Sequence, residues 1–171
     1  MTAQAPQTLR HEDIAQRIPH RADMCLLDGV SAWDDTQIFC DAISHRSTTN
    51  PLRAYGRLGA SCGIEYAAQA MAIHGALVAQ SKLNVVSSAA GITKSGYLVS
   101  VRGVTLHVQR LDDLSDALAI HAERVMGDAG TIVYGFTVHA GSKLLLSGRA
   151  AVILEAPLVA PAAASITRSN P

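Results

Sequence analysis

Glu65 is the residue in this sequence best placed to move a proton. It stands in Gly59-Ala60-Ser61-Cys62-Gly63-Ile64-Glu65-Tyr66-Ala67-Ala68-Gln69-Ala70-Met71, a glycine-containing turn that runs into an apolar, alanine-rich helix. A carboxylate in the first turns of such a helix lies at the positive end of its dipole. Complementing that dipole is one role for Glu65, and acid–base chemistry is the other. The backbone N–H groups of Cys62, Gly63 and Ile64 would point out of the helix start, where they suit a developing oxyanion. Gln69, one turn further on, is placed to orient Glu65 or to hydrogen-bond across a dimer, with a buried structural amide as the equal alternative. Proton removal calls for a histidine, the side chain that titrates near neutrality. His45, in Ile43-Ser44-His45-Arg46, is the histidine of the loop before the helix and a candidate for that role, with an ordinary solvated loop histidine as its alternative. It is expected to reach across a subunit interface towards Glu65 of a second copy. His20, after Pro19, is expected to hold the N-terminal segment down, and His74 to pack on the helix.

The elements that must position these groups follow from periodicity. Met24–Val30 is an apolar run that reads as a first strand, and Gln37–Ile43 alternates as a second. Asp34-Asp35 is the turn between them, and Asp13–Arg17 suits a short turn of helix. Ser44–Leu58 has no period and is expected to be a loop, long enough to imply function. The helix is expected over Cys62–Gln80, with Ile64, Ala67, Ala68, Met71, Ala72, Gly75, Val78 and Ala79 as its buried stripe. Beyond it the period changes from 3.6 to 2. Tyr97–Val108, Ala117–Met126, Thr131–Ala140 and Lys143–Leu154 are expected strands. Tight hairpins are expected at Gly127-Asp128-Ala129-Gly130 and Gly141-Ser142. Neither helix nor sheet can bury its apolar side alone, so the helix must lie across one face of an antiparallel sheet. This is the α+β hotdog arrangement. It leaves an edge strand and part of the helix exposed, which pairing of subunits would cover.

At 171 residues the chain fits one domain. We expect a flexible N-terminus over 1–13, the hotdog domain over 14–155 and a disordered Pro/Ala-rich tail over 156–171. The 14 basic and 14 acidic residues cancel, which argues against a nucleic-acid footprint. Cys25, Cys40 and Cys62 make neither a disulfide framework nor a zinc pattern. Met1–Pro6 lacks the basic and apolar regions of a signal peptide, and no run is long and apolar enough to span a membrane. A reducing, cytoplasmic location is expected. His107, His121 and His139 lack the spacing of a metal set, and Gly56, Gly59 and Gly63 do not form a phosphate-binding fingerprint. No metal and no nucleotide cofactor are expected.

Four segments, in order, resemble the hotdog beta-hydroxyacyl-acyl-carrier-protein dehydratases. They are Ile18-Pro19-His20-Arg21-Ala22-Asp23-Met24-Cys25-Leu26-Leu27-Asp28-Gly29-Val30, Gly63–Ala70, Ala90-Gly91-Ile92-Thr93-Lys94 and Ser147-Gly148-Arg149-Ala150. The Gly-Ile-Glu-Tyr helix start is most similar to the dehydratase-like subgroup encoded with aryl-polyene and related lipid pathways. The resemblance implies dehydration of 3-hydroxyacyl thioesters carried on the phosphopantetheine of an acyl carrier protein, or on CoA. In that reaction a base removes the proton beside the carbonyl, an acid protonates the departing hydroxyl, and donors stabilise the thioester oxygen. The resemblance gives Glu65 the second role, and His45, the loop histidine before Glu65, is the candidate for the first. The backbone of Cys62, Gly63 and Ile64 takes the third, and Gln69 supports Glu65. One departure stands out. The family's histidine-containing H-F-P-G loop is absent, and Pro51 stands where its histidine would be. Arg21, Arg46, Arg53 and Arg57 would meet an acidic carrier protein. The expected assembly is a homodimer or a higher even-numbered form, or a heteromer with another hotdog subunit. A hotdog acyl thioesterase using Glu65 and water, and a non-catalytic partner subunit, are the competing functions.

Overall fold

The computed structural model describes residues 8–85, 96–128 and 130–154. The Ala90–Lys94 segment, the first seven residues and the expected tail over 156–171 lie outside them. Seven strands form one sheet in the order β1-β2-β3-β5-β6-β7-β4. In chain order they are β1 (Leu9–Arg10), β2 (Gly29–Trp33), β3 (Gln37–Ala42), β4 (Gly96–Leu106), β5 (Leu118–Gly127), β6 (Thr131–Ala140) and β7 (Lys143–Leu154). Every neighbouring pair is antiparallel. A short helix α1 (His11–Ala15) follows β1, and a long helix α2 (Gly63–Val85) separates β3 from β4. This is the hotdog fold. Among the described residues no helix is long and apolar enough to cross a membrane.

The second half follows its alternation closely. Along β6, Ile132, Tyr134, Phe136 and Val138 face the core, and the residues between them face outward. Asp128 closes the β5–β6 hairpin by accepting bonds from the N–H groups of Gly130 and Thr131. Gly141, at φ 55°, turns β6 into β7 in a conformation that costs glycine little. The Asp112-Asp113 turn leads β4 not to a hairpin with β5 but across the sheet, because β4 pairs with β7. It leaves β4 as a long edge with Tyr97, Leu98, Val99 and Leu106 exposed.

The first half departs from expectation in three places. Met24–Val30 is not a strand. Ala22–Met24 is a tight 3-10 turn, Cys25–Asp28 carries no regular structure, and the strand begins at Gly29. Cys25, Leu26 and Leu27 are buried in succession, so the run is a buried strap without two-residue alternation. The first helix begins at His11, and Leu9–Arg10 already pairs with β2, so regular structure starts before residue 14. The stripe of α2 is also rotated. Tyr66, Ala67, Ala70, Met71, Ile73, His74, Leu77 and Val78 are buried, whereas Ile64, Ala68, Ala72 and Gly75 are half-buried and Ala79 is exposed. The helix is apolar on nearly every side, so periodicity alone cannot choose its inner face. The bulky Tyr66, Ile73 and Leu77 fill the sheet's concavity, each worth about 1.5–3 kcal/mol of burial. The small residues flank it.

Candidate functional site

The site is built where the buried strap crosses the start of α2. A 3-10 turn over Ala60–Cys62 feeds the helix, and Glu65 lies in its first turn. Gly63 permits this approach, since a Cβ there would lie 2.5 Å from Cδ2 of Leu146 on β7. The same turn alters the expected oxyanion donors. The Cys62 N–H donates to the Gly59 carbonyl, and the Gly63 N–H to the carbonyls of Ala60 and Ser61. Those two groups are spent on the turn.

Glu65 Oε1 lies 3.0 Å from His20 Nε2. It also accepts a 3.0 Å bond from Gln69 Nε2. The two partners are about 30 % exposed, so the pair is reachable yet partly withdrawn from water. Gln69 is fully buried and saturated. Its Oε1 accepts the Leu26 N–H at 2.8 Å, and its Nε2 donates to the Met24 carbonyl at 2.7 Å as well as to Glu65. These backbone partners fix which end of the amide is which, because a carbonyl cannot donate and an N–H cannot accept. Gln69 thus takes the place of a neighbouring strand for the strap. Glu65 Oε1 can only accept from Gln69, so when Glu65 is ionised His20 donates to it from Nε2. His20 Nδ1 is buried without a hydrogen-bond partner among the described residues. The segment carrying His20 is tied at both ends, by Arg21 Nη1 to the Ala15 carbonyl at 2.8 Å and by Gln69 to Met24. Between them Ala22 adopts φ 48°, a left-handed backbone uncommon for alanine, and this bends the strap beside the acid.

His45 lies elsewhere. It has no exposed surface, and its Nε2 lies 3.3 Å from the Leu114 carbonyl, in the connection between β4 and β5. Burial pushes its pKa below the ordinary histidine value, with the Leu114 carbonyl opposing the shift. Its neighbour Arg46 donates to the Ser115 carbonyl at 2.8 Å. Within this chain the Ser44–Arg46 3-10 turn directs the His45 ring inward, as a staple for the loop, and not towards Glu65. His20, expected only to hold the N-terminal segment, is the histidine brought to Glu65. Both belong to segments that resemble one family, and that shared origin was the available signal.

The remaining candidates divide. Arg53 is committed to buried Asp112 at 2.9 Å, which Arg110 also grips. Asp112 in addition accepts the Leu58 N–H, and its pairing with Arg110 holds its carboxyl well below the usual range. Arg21, Arg46 and Arg57 remain exposed. Cys62 donates weakly to the Leu52 carbonyl, and burial pushes its thiol pKa up, so it is not prepared as a nucleophile. All three cysteines are free. His74 is sealed between the Tyr134 hydroxyl at 2.9 Å and the Asp34 carbonyl at 2.8 Å. Among the described residues no three His, Cys, Asp or Glu side chains gather as a metal would require.

Comparison with known proteins gives the arrangement a context. The family model of the ApeP dehydratases matches residues 12–160. No curated protein matches the chain. Among solved structures, the dehydratase heterocomplex ApeI:P from Xenorhabdus doucetiae is similar at 20 % identity and TM-score 0.69, covering 84 % of this chain and 91 % of that one. A thioesterase from Haemophilus influenzae is similar at 14 % identity and TM-score 0.59, covering 90 % and 95 %. A mutant thioesterase from Pseudomonas aeruginosa gives 14 % identity and TM-score 0.57, covering 89 % and 97 %. At these identities the likeness to solved structures is one of fold.

Proposed function

Because the chain belongs to the ApeP dehydratase family, we propose that it removes water from 3-hydroxyacyl thioesters borne by an acyl carrier protein, giving trans-2-enoyl thioesters for fatty-acid or polyene-type lipid synthesis. The observation that carries this reading is the 3.0 Å contact between His20 and Glu65 at the start of α2. The couple supplies both groups the reaction needs. Its base form takes the proton from C2, and negative charge moves onto the thioester oxygen. The acid form then protonates the C3 hydroxyl as the C3–O bond breaks and water leaves. The helix N-terminus favours the transient negative charge, and the Ile64 N–H is the candidate donor. Ile64, Ala68 and Ala72 lie half-buried on the same side of α2 as Glu65 and suit an acyl chain. The exposed Arg21, Arg46 and Arg57 suit the acidic carrier. This chemistry needs no cofactor, and we place it in the cytoplasm.

The test is mass-spectrometric detection of trans-2-enoyl product from 3-hydroxyacyl carrier proteins of several chain lengths. Wild type should form it. Glu65→Gln should lose about 10²–10⁴-fold in rate, the range for a positioned acid or base. Free thiol released without enoyl product would instead favour a thioesterase.

A second reading is favoured by the inward-facing His45 together with the long exposed edge of β4. The chain would then be one hotdog subunit of a heteromer whose partner completes the site. Native mass spectrometry with neighbouring gene products separates the two, since this reading requires a mixed assembly and inactivity of the chain alone.

A further inference from the structure

The buried polar groups around Tyr66 are not used by the chemistry above, yet they end at it. Tyr66 is fully buried, and its hydroxyl lies 2.9 Å from Ser44 Oγ and 3.0 Å from Asn50 Nδ2. Ser44 Oγ donates to the Leu26 carbonyl at 2.7 Å. A hydroxyl has one proton, so once Ser44 gives its own to Leu26 it must accept from Tyr66. Tyr66 in turn accepts from Asn50, which can only donate through its NH₂ group. Asn50 is held in that orientation because its Oδ1 accepts the Leu52 N–H at 3.0 Å and its Nδ2 also donates to the Ser44 carbonyl at 2.9 Å.

The donors therefore run one way, from Asn50 to Tyr66 to Ser44 to the Leu26 carbonyl. The next link starts on the other side of the same residue, from the Leu26 N–H to Gln69, and then from Gln69 to Glu65 Oε1. Leu26 is gripped from the loop on its carbonyl and from the helix on its N–H. The Leu26 carbonyl and N–H belong to the two peptide groups on either side of its Cα, so the link through Leu26 is one of position: both peptides are clamped, in a region shielded from water. We propose that Tyr66, Ser44 and Asn50 are positioning residues for the His20–Glu65 couple, acting through the Leu26 backbone and Gln69. The loop after β3 then serves the site by fixing the position of Leu26, while its own histidine faces the core. Burial raises the Tyr66 pKa, which keeps the hydroxyl neutral and able to donate. This inference rests on the His20–Glu65 reading of the site.

The test uses Tyr66→Phe in the full chain, purified with any partner subunit it carries. It removes one oxygen and keeps the buried ring. Turnover of a 3-hydroxyacyl carrier substrate should fall about tenfold in kcat with KM changed less than about twofold, the signature of a lost transition-state interaction. NMR should show a shifted Gln69 side-chain amide, faster exchange of the Leu26 N–H and shifted His20 ring signals. Ser44→Ala should reproduce this, and Ser44→Thr, which keeps a hydroxyl, should restore it. These serine variants decide the matter if Tyr66→Phe does not fold. A lowered melting temperature with unchanged kcat and unchanged Gln69 and His20 signals would overturn the proposal. Absence of dehydration by wild type would count against the functional reading instead, and the NMR signals would still decide the positioning claim.

Discussion

The sheet of β4–β7 and the strap that carries His20 hold together by different means. In the sheet, neighbours pair strand to strand along most of their length, with local register shifts, and the side chains of β6 alternate in and out. In the strap, the backbone is satisfied by side chains from distant places. Gln69 of the helix and Ser44 of the loop hold Leu26 across 43 and 18 positions of sequence. The sheet is a repetitive structure held by many backbone pairs and a continuous apolar face. The strap depends on a few specific polar atoms, and one of them, Gln69 Nε2, also touches Glu65. Stability should therefore be concentrated in the first region and activity in the second.

The largest effect expected of this division is on the sheet side. Phe136→Ala empties a buried site on β6 and should cost about 3–5 kcal/mol in denaturant unfolding. At temperatures where the variant remains folded, its kcat should stay near wild type. A catalytic loss as large as that of a strap variant would break the comparison.

A smaller effect comes from the histidines sealed inside. Burial lowers the pKa of both His45 and His74 below the ordinary 6.5. Between that value and the depressed one, the unfolded chain binds protons that the folded chain refuses. Their contribution to stability is therefore complete above about pH 6.5 and is lost progressively as the pH falls below it. His74→Gln should flatten that acid-side slope in chemical denaturation series, while costing about 1–3 kcal/mol at neutral pH through the disrupted bonds to Tyr134 and Asp34. An unchanged slope would contradict the assignment.

The smallest effect concerns Tyr55, whose side chain is fully exposed and whose φ is 52°. Tyr55→Asn should stabilise the chain by up to about 1 kcal/mol, since asparagine tolerates the left-handed region better. Thermal unfolding would show it as a modest rise in midpoint, and a fall would mean that the ring makes a contact the exposed turn does not reveal.

The same contrast explains what could be read from the sequence. The bounds of β6 and β7 and their hairpins were legible because alternation and turn chemistry act over a few residues. The placement of Glu65 at the helix start and its contact with Gln69 were legible because a helix start and a one-turn spacing are local too. His20 and Tyr66 were not, because their roles depend on where a non-repeating strap crosses the helix, and no period encodes that crossing. The face of α2 was misread for a related reason: when alanine, isoleucine and methionine occur all round a helix, polarity does not mark the buried side. His45 drew attention by its place in the loop, yet a 3-10 turn of three residues was enough to send it inward.

The most direct test of the account compares His20→Asn with His45→Asn in kcat for 3-hydroxyacyl dehydration, with the folded fraction of each measured by circular dichroism. His20→Asn should remain folded and lose about 10²–10⁴-fold in kcat. His45→Asn should be less stable, yet keep most of its turnover per folded molecule. A folded His45→Asn protein without activity, beside an active His20→Asn protein, would contradict the central claim that His20 and Glu65 form the working pair.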